Sequence, residues 1–185
     1  VGPDEAAALA AGQADVKVKV GDPGDVDRVA AVRDAIGPHG RLRVDANGAW
    51  DLDTAVGRIA LLAPFDLELV EQPVASLEDL AGIRRKVAVP VAADECVRSL
   101  DDARRLAALE AADALVVKVQ PLGGFAATLA VIHAAGLPAI VSSMYETSVG
   151  LAAGLALAAA LDDLPFACGL GTAGLLAADV VAAPL

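Results

Sequence analysis

The sequence predicts an α/β chain of repeated strand–helix units, and three observations carry that expectation. Short β-branched runs alternate with alanine-rich amphipathic stretches from end to end. The runs begin roughly every 25 residues, about the length of one βα unit. Of the 185 residues, 56% are hydrophobic but only 3% are aromatic. Such a core is aliphatic and close-packed, which suits parallel strands covered by helices.

The expected strands are Asp15–Val20, Arg41–Ala46, Leu67–Glu71, Val89–Asp94, Ala114–Val119, Ala139–Ser142 and Phe166–Leu170. Between them, apolar residues at helical spacing predict helices over Val26–Ile36, Leu52–Leu62, Leu77–Arg85, Leu100–Leu109 and Phe125–Ala135. Asp25, Asp51 and Ser76 stand where N-caps belong, and Gly37 and Gly136 where helices should stop. Val149–Leu161 is the most apolar stretch, too short for a membrane span, and predicts a buried helix.

Charge narrows the function classes. Lys and Arg total 14 against 25 Asp and Glu, a net charge of −11, which repels phosphate backbones and argues against nucleic-acid binding. Cys96 and Cys168 form neither a disulfide framework nor a CxxC metal site. No secretory leader opens the sequence, so a cytoplasmic enzyme acting on a small molecule, away from membranes, is the expectation.

Seven βα units suit either a doubly wound sheet or a (β/α) barrel. The placement of polar residues favours the barrel. The strands are apolar until their C-terminal ends, where Asp45, Glu71, Asp94 with Glu95, Lys118, and Ser142 with Ser143 occur. A closed barrel gathers such ends around one ligand, whereas an open sheet spreads them along an edge. Three carboxylates from consecutive strands can converge on one hard cation, so Asp45, Glu71 and Asp94 are candidate ligands for Mg2+ or Mn2+. The alternative for each is an ordinary cap on the helix that follows. Lys17 and Lys19, two apart on a strand, share one side of it. A neighbouring ammonium and a cation lower a lysine's pKa and make it a usable base. In an eight-stranded barrel, Lys118 would stand across the mouth from Lys19; the alternative is solvent-facing lysines on an edge strand.

The motifs K-x-K (Lys17–Lys19), DAN (Asp45–Asn47), EQP (Glu71–Pro73) and DE (Asp94–Glu95), with Lys118 one strand later, resemble the enolase superfamily and its muconate-lactonizing subgroup. Lys19, Asp45, Glu71, Asp94 and Lys118 recur at intervals of 26, 26, 23 and 24 residues. Within that subgroup, DANGAW (Asp45–Trp50), VKVQPLGG (Val117–Gly124), SSMYETSVG (Ser142–Gly150) and CGLGT (Cys168–Thr172) resemble the o-succinylbenzoate synthase family of actinobacterial type. The resemblance implies a (β/α)7β barrel and a separate α+β capping domain. It covers residues 1–185 as a partial catalytic barrel, with the cap, the strand preceding the helix Asp4–Ala11 and a C-terminal tail lying outside the sequence.

The resemblance also implies a reaction: Mg2+-dependent syn-dehydration of 2-succinyl-6-hydroxy-2,4-cyclohexadiene-1-carboxylate through an enediolate, in menaquinone biosynthesis. Asp45, Glu71 and Asp94 become Mg2+ ligands. Lys19 becomes the base and then the acid, Lys118 the cation on the opposite face, and Lys17 the support of Lys19. Asn47 and Glu95 orient groups around the metal. Ser142, Ser143, Gly169 and Gly171 are candidates for the succinyl tail, since glycines let backbone N–H groups approach a carboxylate.

N-acylamino-acid racemases share the lysine pair and stay open as an alternative, as does a non-catalytic metal-binding barrel fragment. Dipeptide epimerases carry an acidic D-x-D pattern where this chain reads Cys168–Gly171, and mandelate-racemase relatives a histidine where Ser142 falls. His133 reads as a helix residue, Trp50 as packing or mouth lining, and Cys96 as no nucleophile. The oligomeric state is open.

Overall fold

The computed structural model describes residues 1–185. The chain forms two compact units, Val1–Cys96 with Leu109–Asp113, and Val97–Ala108 with Ala114–Leu185.

The first unit holds helix α1 (Pro3–Ala10), strand β1 (Asp15–Lys19), α2 (Asp25–Ile36), β2 (Arg41–Asp45), α3 (Leu52–Leu62), β3 (Leu67–Glu71), α4 (Leu77–Arg84) and β4 (Val91–Ala93). Its strands pair in chain order and in parallel, β1 with β2, β2 with β3 and β3 with β4. Each parallel pair needs a crossover, and the intervening helix provides it. Leu42, Val44, Leu69, Val70, Val91 and Ala92 are completely buried on these strands, as near-continuous apolar runs require in a helix-covered parallel sheet.

The register sets the site. Lys19 pairs with Asp45 and Asp45 with Glu71, so three charged residues lie in one row across three strands. A register shift makes this row. Leu42 pairs with Leu67 but Arg43 pairs with Leu69, leaving Glu68 as an extra residue in β3. Glu68 is not idle there, since it accepts a hydrogen bond from Arg43 Nε.

The caps follow the sequence at two of three positions. Asp51 accepts from Thr54 N at 2.8 Å and Ser76 from Asp79 N at 3.1 Å. Asp25 is instead the first helical residue of α2, after a Gly24 N-cap. It is fully buried, and its carboxylate serves the loop before it. Gly37 (φ 70°) and Gly136 (φ 62°) end their helices, as expected.

The second unit holds α5 (Leu100–Leu109, less its last residue), β5 (Ala114–Val117), α6 (Phe125–Ala135), β6 (Ala139–Val141) and α7 (Ser148–Ala159), with β5 and β6 parallel. Two expectations are corrected here. Phe166–Leu170 is no strand; it makes one isolated bridge, Ser142 with Gly169. Pro165 removes a ladder donor at its start, and Gly169 and Gly171 weaken its end. The chain therefore has six strands rather than seven. Helix α7 buries Leu151, Gly154 and Leu157 but exposes Val149 and Leu155, so it is covered on one side only. No helix is long and apolar enough to cross a membrane.

Candidate active site

The C-terminal ends of β1–β3 bring together a charged cluster, and the strand pairing explains it. Lys17 and Lys19 alternate with Val18, which is buried on the opposite side of β1. Lys17 Nζ lies 2.7 Å from Glu71 Oε1 and 2.9 Å from Asp45 Oδ2. Lys19 Nζ donates to the same Asp45 oxygen and to Asn47 Oδ1 at 2.6 Å. Asp45 Oδ1 accepts from Asn47 N at 3.0 Å. The Asn47 amide then donates to Glu95 Oε1 at 2.6 Å. Asn47 takes a left-handed backbone (φ 46°), which Asn tolerates better than most residues.

Burial decides the electrostatics. Asp45 has no exposed surface and Glu71 only 2%, and a buried carboxylate resists ionisation. Burial, then the Asp45 charge, pushes Glu71 up to about 8, against Lys17; Asp94 adds to the rise. Burial alone would raise Asp45 too, but Lys17 and Lys19 together hold it below the ordinary carboxylate range. Burial works to lower Lys17, yet the Glu71 and Asp45 charges outweigh it and the pKa rises. Two buried carboxylates at 2.7 and 2.9 Å hold the proton on. Lys17 is thus a fixed ammonium in this arrangement.

Asp94 follows β4, the strand beside β3, and is buried. Its N–H donates to Gln72 Oε1 at 2.7 Å, as does Cys96 N at 3.3 Å, while Gln72 Nε2 donates to Val74 O at 2.7 Å. Gln72 therefore staples the ends of β3 and β4 with a buried amide used at both ends. Sequence reasoning gave it no role. Its presence in the EQP run and its φ of 39°, an uncommon conformation for a side chain that size, are the signals that mark it. Cys96 is buried enough that its thiol is pushed to about 11, which agrees with its reading as no nucleophile.

No group of three His, Cys, Asp or Glu side chains stands close enough here to hold a metal ion; lysine ammoniums take Asp45 and Glu71 instead. The chemistry of the donor set nonetheless fits a hard divalent cation. Asp45, Glu71 and Asp94 are all oxygen donors on adjacent strand ends, buried, with mutual repulsion strong enough to raise Glu71.

The other candidates lie in the second unit. Lys118 directly follows β5 and is half-buried. Ser143 N and Oγ donate to Gly169 O at 3.1 and 3.2 Å, Ser142 Oγ is 3.4 Å from that oxygen, and Ser143 Oγ is 2.9 Å from Thr172 Oγ1. Gly169 N donates to Val141 O at 2.9 Å, so that N–H is not open to a substrate carboxylate. Gly171 precedes a short 3-10 turn, Thr172–Leu175. Trp50 is buried, bridged to Val74, and packs rather than lines a mouth; His133 is exposed on α6.

The enolase C-terminal domain-like family matches residues 3–185. The chain belongs to that family. Among curated relatives, the o-succinylbenzoate synthase of Thermobifida fusca (strain YX) is 58% identical over 192 residues, 100% of this chain and 61% of that protein. The o-succinylbenzoate synthase of Mycobacterium leprae (strain TN) is 48% identical over 89% of the chain and 50% of its own length. The chain thus spans about half to three-fifths of these relatives. The solved dipeptide epimerase of Enterococcus faecalis V583 matches with TM-score 0.92 and 32% identity, over 100% of this chain and 57% of its own. The same epimerase has also been solved with Mg and the dipeptide L-Leu-L-Tyr; that structure matches with TM-score 0.84 and 34% identity, over 91% and 51%. The N-succinyl Arg/Lys racemase of Bacillus cereus ATCC 14579 matches with TM-score 0.91 and 30% identity, over 97% and 52%. The expected fold class, α/β of the enolase-superfamily barrel type, is therefore the family's own.

Proposed function

We propose that this chain is the catalytic-barrel part of an o-succinylbenzoate synthase, with its capping domain, first strand and C-terminal tail contributed by sequence beyond residues 1–185. The observation that carries the reading is the Lys19–Asp45–Glu71 row with Lys17 bridging its carboxylates. The 58% identity to a synthase weighs more for the substrate than the 32% identity to an epimerase.

Asp45, Glu71 and Asp94 would hold Mg2+, or Mn2+ in its place. Such a cation supplies positive charge where the substrate carboxylate gains negative charge. The chain's own residues do the rest. Lys19 is the more exposed of the two lysines, its side chain 63% accessible against 34% for Lys17, so it is the one better placed to reach a substrate. In its neutral form it takes the proton α to the carboxylate, and electrons move into the enediolate. It then returns that proton to the departing hydroxide on the same face, which leaves as water with Lys19 in its starting state. Lys17 stays protonated and balances Asp45 and Glu71. Asn47 holds the Lys19 ammonium and, through its amide, Glu95. Lys118 would supply a cation on the opposite face of the enediolate, and Ser142, Ser143 and Gly171 would meet the succinyl tail.

The test is the full-length protein with Mg2+ and the cyclohexadiene substrate, beside Lys19→Ala. Mg2+-dependent formation of o-succinylbenzoate, abolished in the variant, supports the reading; a wild type without that activity refutes it. The structural match to an N-succinyl amino-acid racemase favours one second reading, racemisation of N-acylamino acids at the same lysines. Loss of the α-deuteron from such a substrate would report it.

A further inference from the structure

We propose that Arg28 is a positioning residue for Lys19, and that buried Asp25 and Arg58 lock its guanidinium in place. The inference rests on the reading of Lys19 as the acid–base group.

The peptide linking Lys19 to Val20 is held from both sides. Val20 N donates to Asp45 O at 2.9 Å, tying the peptide to β2. Its carbonyl, Lys19 O, points the other way, and Arg28 reaches it with Nε at 3.2 Å and Nη2 at 3.0 Å. The guanidinium thus meets this carbonyl on the side of β1 away from β2. Lys19 is the last residue of β1. Its side chain is largely exposed, so the direction of its Cα–Cβ bond is set by this peptide rather than by packing.

Arg28 is itself over-determined. Its Nη2 donates to Asp25 Oδ1 at 2.7 Å and to Asp22 Oδ2 at 2.9 Å. Asp25 is saturated by four donors. Gly21 N (2.9 Å) and Arg58 Nη2 (2.7 Å) meet Oδ2, and Asp22 N (3.2 Å) and Arg28 meet Oδ1. Arg58, from α3, also holds Asp22 O at 2.9 Å. Asp25 is fully buried and Arg28 nearly so. A buried charge network of this kind gives poor net stability against an apolar replacement, and its best-attested benefit is a unique geometry. What it makes unique here is the turn Val20–Gly24 and the peptide that carries Lys19.

The network is separate from the carboxylates of the site. None of its hydrogen bonds to Arg28 or Arg58 reaches the side chain of Asp45, Glu71 or Asp94. Its loss should therefore move the acid–base lysine without removing a metal ligand, a separation that a general loss of packing would not produce.

The experiment uses the full-length protein, with Arg28→Met, Arg28→Lys and Arg58→Met, each checked for folding by circular dichroism. In Arg28→Met, kcat should fall by about tenfold or more, since small misplacements of a reacting group cost that much. KM and Mg2+ affinity by calorimetry should stay within about twofold. Amide hydrogen exchange at Val20 and Gly21 should accelerate by about tenfold. Arg28→Lys keeps the charge but not the fork, and should fall between. Should Arg28→Met fail to fold, Arg58→Met carries the test through a smaller drop in kcat at constant KM. A folded variant with wild-type kcat and wild-type exchange at Val20 overturns the proposal. A wild type that turns over no substrate sinks the proposed function instead, and the exchange data then decide whether Arg28 holds the peptide.

Discussion

Replacing Lys17 by Met should destabilise the cation-free protein by an amount that grows with pH. Lys17 sits between two carboxylates whose side chains are 1% and 3% exposed, while its own is 34% exposed. Removing one partner of a buried pair costs ~3–5 kcal/mol, and partial exposure of the lysine screens this to ~2–3 kcal/mol. For a domain of this size, that corresponds to a fall in Tm of about 4–12 °C. The pH dependence follows from Glu71. Its carboxyl is held up to about 8, so at pH 6 it is protonated and Lys17 balances Asp45 alone. At pH 9 both carboxylates are charged in the wild type and Lys17, its pKa raised, balances them; without Lys17, Glu71 must either stay charged unpartnered or hold its proton against the pH, and either adds to the cost. Thermal unfolding of the full-length wild type and Lys17→Met in a chelator at pH 6 and pH 9 gives the difference. A cost equal at both pH values, or smaller at pH 9, would refute this account of the cluster. Added Mg2+ should shrink the cost in the variant, because the charge that Lys17 balances would be balanced again.

Three further outcomes follow from the same geometry. Glu71 keeps its proton in the folded chain up to about 8 but releases it near 4.5 when unfolded, so cation-free stability falls as pH rises between those values. Glu71→Gln removes that dependence, by at most about 1.4 kcal/mol per pH unit, which urea unfolding at pH 5 and pH 8 would read, and it should also weaken Mg2+ binding in calorimetry. Asp51→Ala removes the cap on Thr54 N and should cost ~1 kcal/mol in urea unfolding. Cys96, its thiol pushed to about 11 by burial, should react with iodoacetamide at pH 7.5 far more slowly than the same protein in denaturant.

The fold was legible where periodicity and punctuation agree. The six strands and their helices lie within a few residues of the expected positions because each βα unit repeats one apolar pattern. Phe166–Leu170 reads as a seventh strand because it has the apolar residues of one, while Pro165 and the two glycines limit it to a single bridge. In the site, Lys17, Lys19, Asp45, Glu71, Asn47 and Glu95 come together because chain-order parallel pairing puts equivalent strand ends side by side. What the sequence concealed was long-range. Asp25 reads as a helix cap, yet besides Gly21, Asp22 and Arg28 it holds an arginine 33 residues away. Gln72 reads as part of a motif, yet its role is set by amides just past the end of the next strand. No local pattern records which donors a fold will deliver to a buried oxygen.

The extra residue in β3 has a consequence for how this chain tolerates change. Upstream of Glu68 the strand keeps step with Leu42; downstream it keeps step with Arg43, and Glu71 lands beside Asp45. A slack link of this kind decouples the two halves of the strand. A residue gained or lost in the turn between α3 and β3 can be taken up at position 68, and the carboxylate three residues on keeps its station.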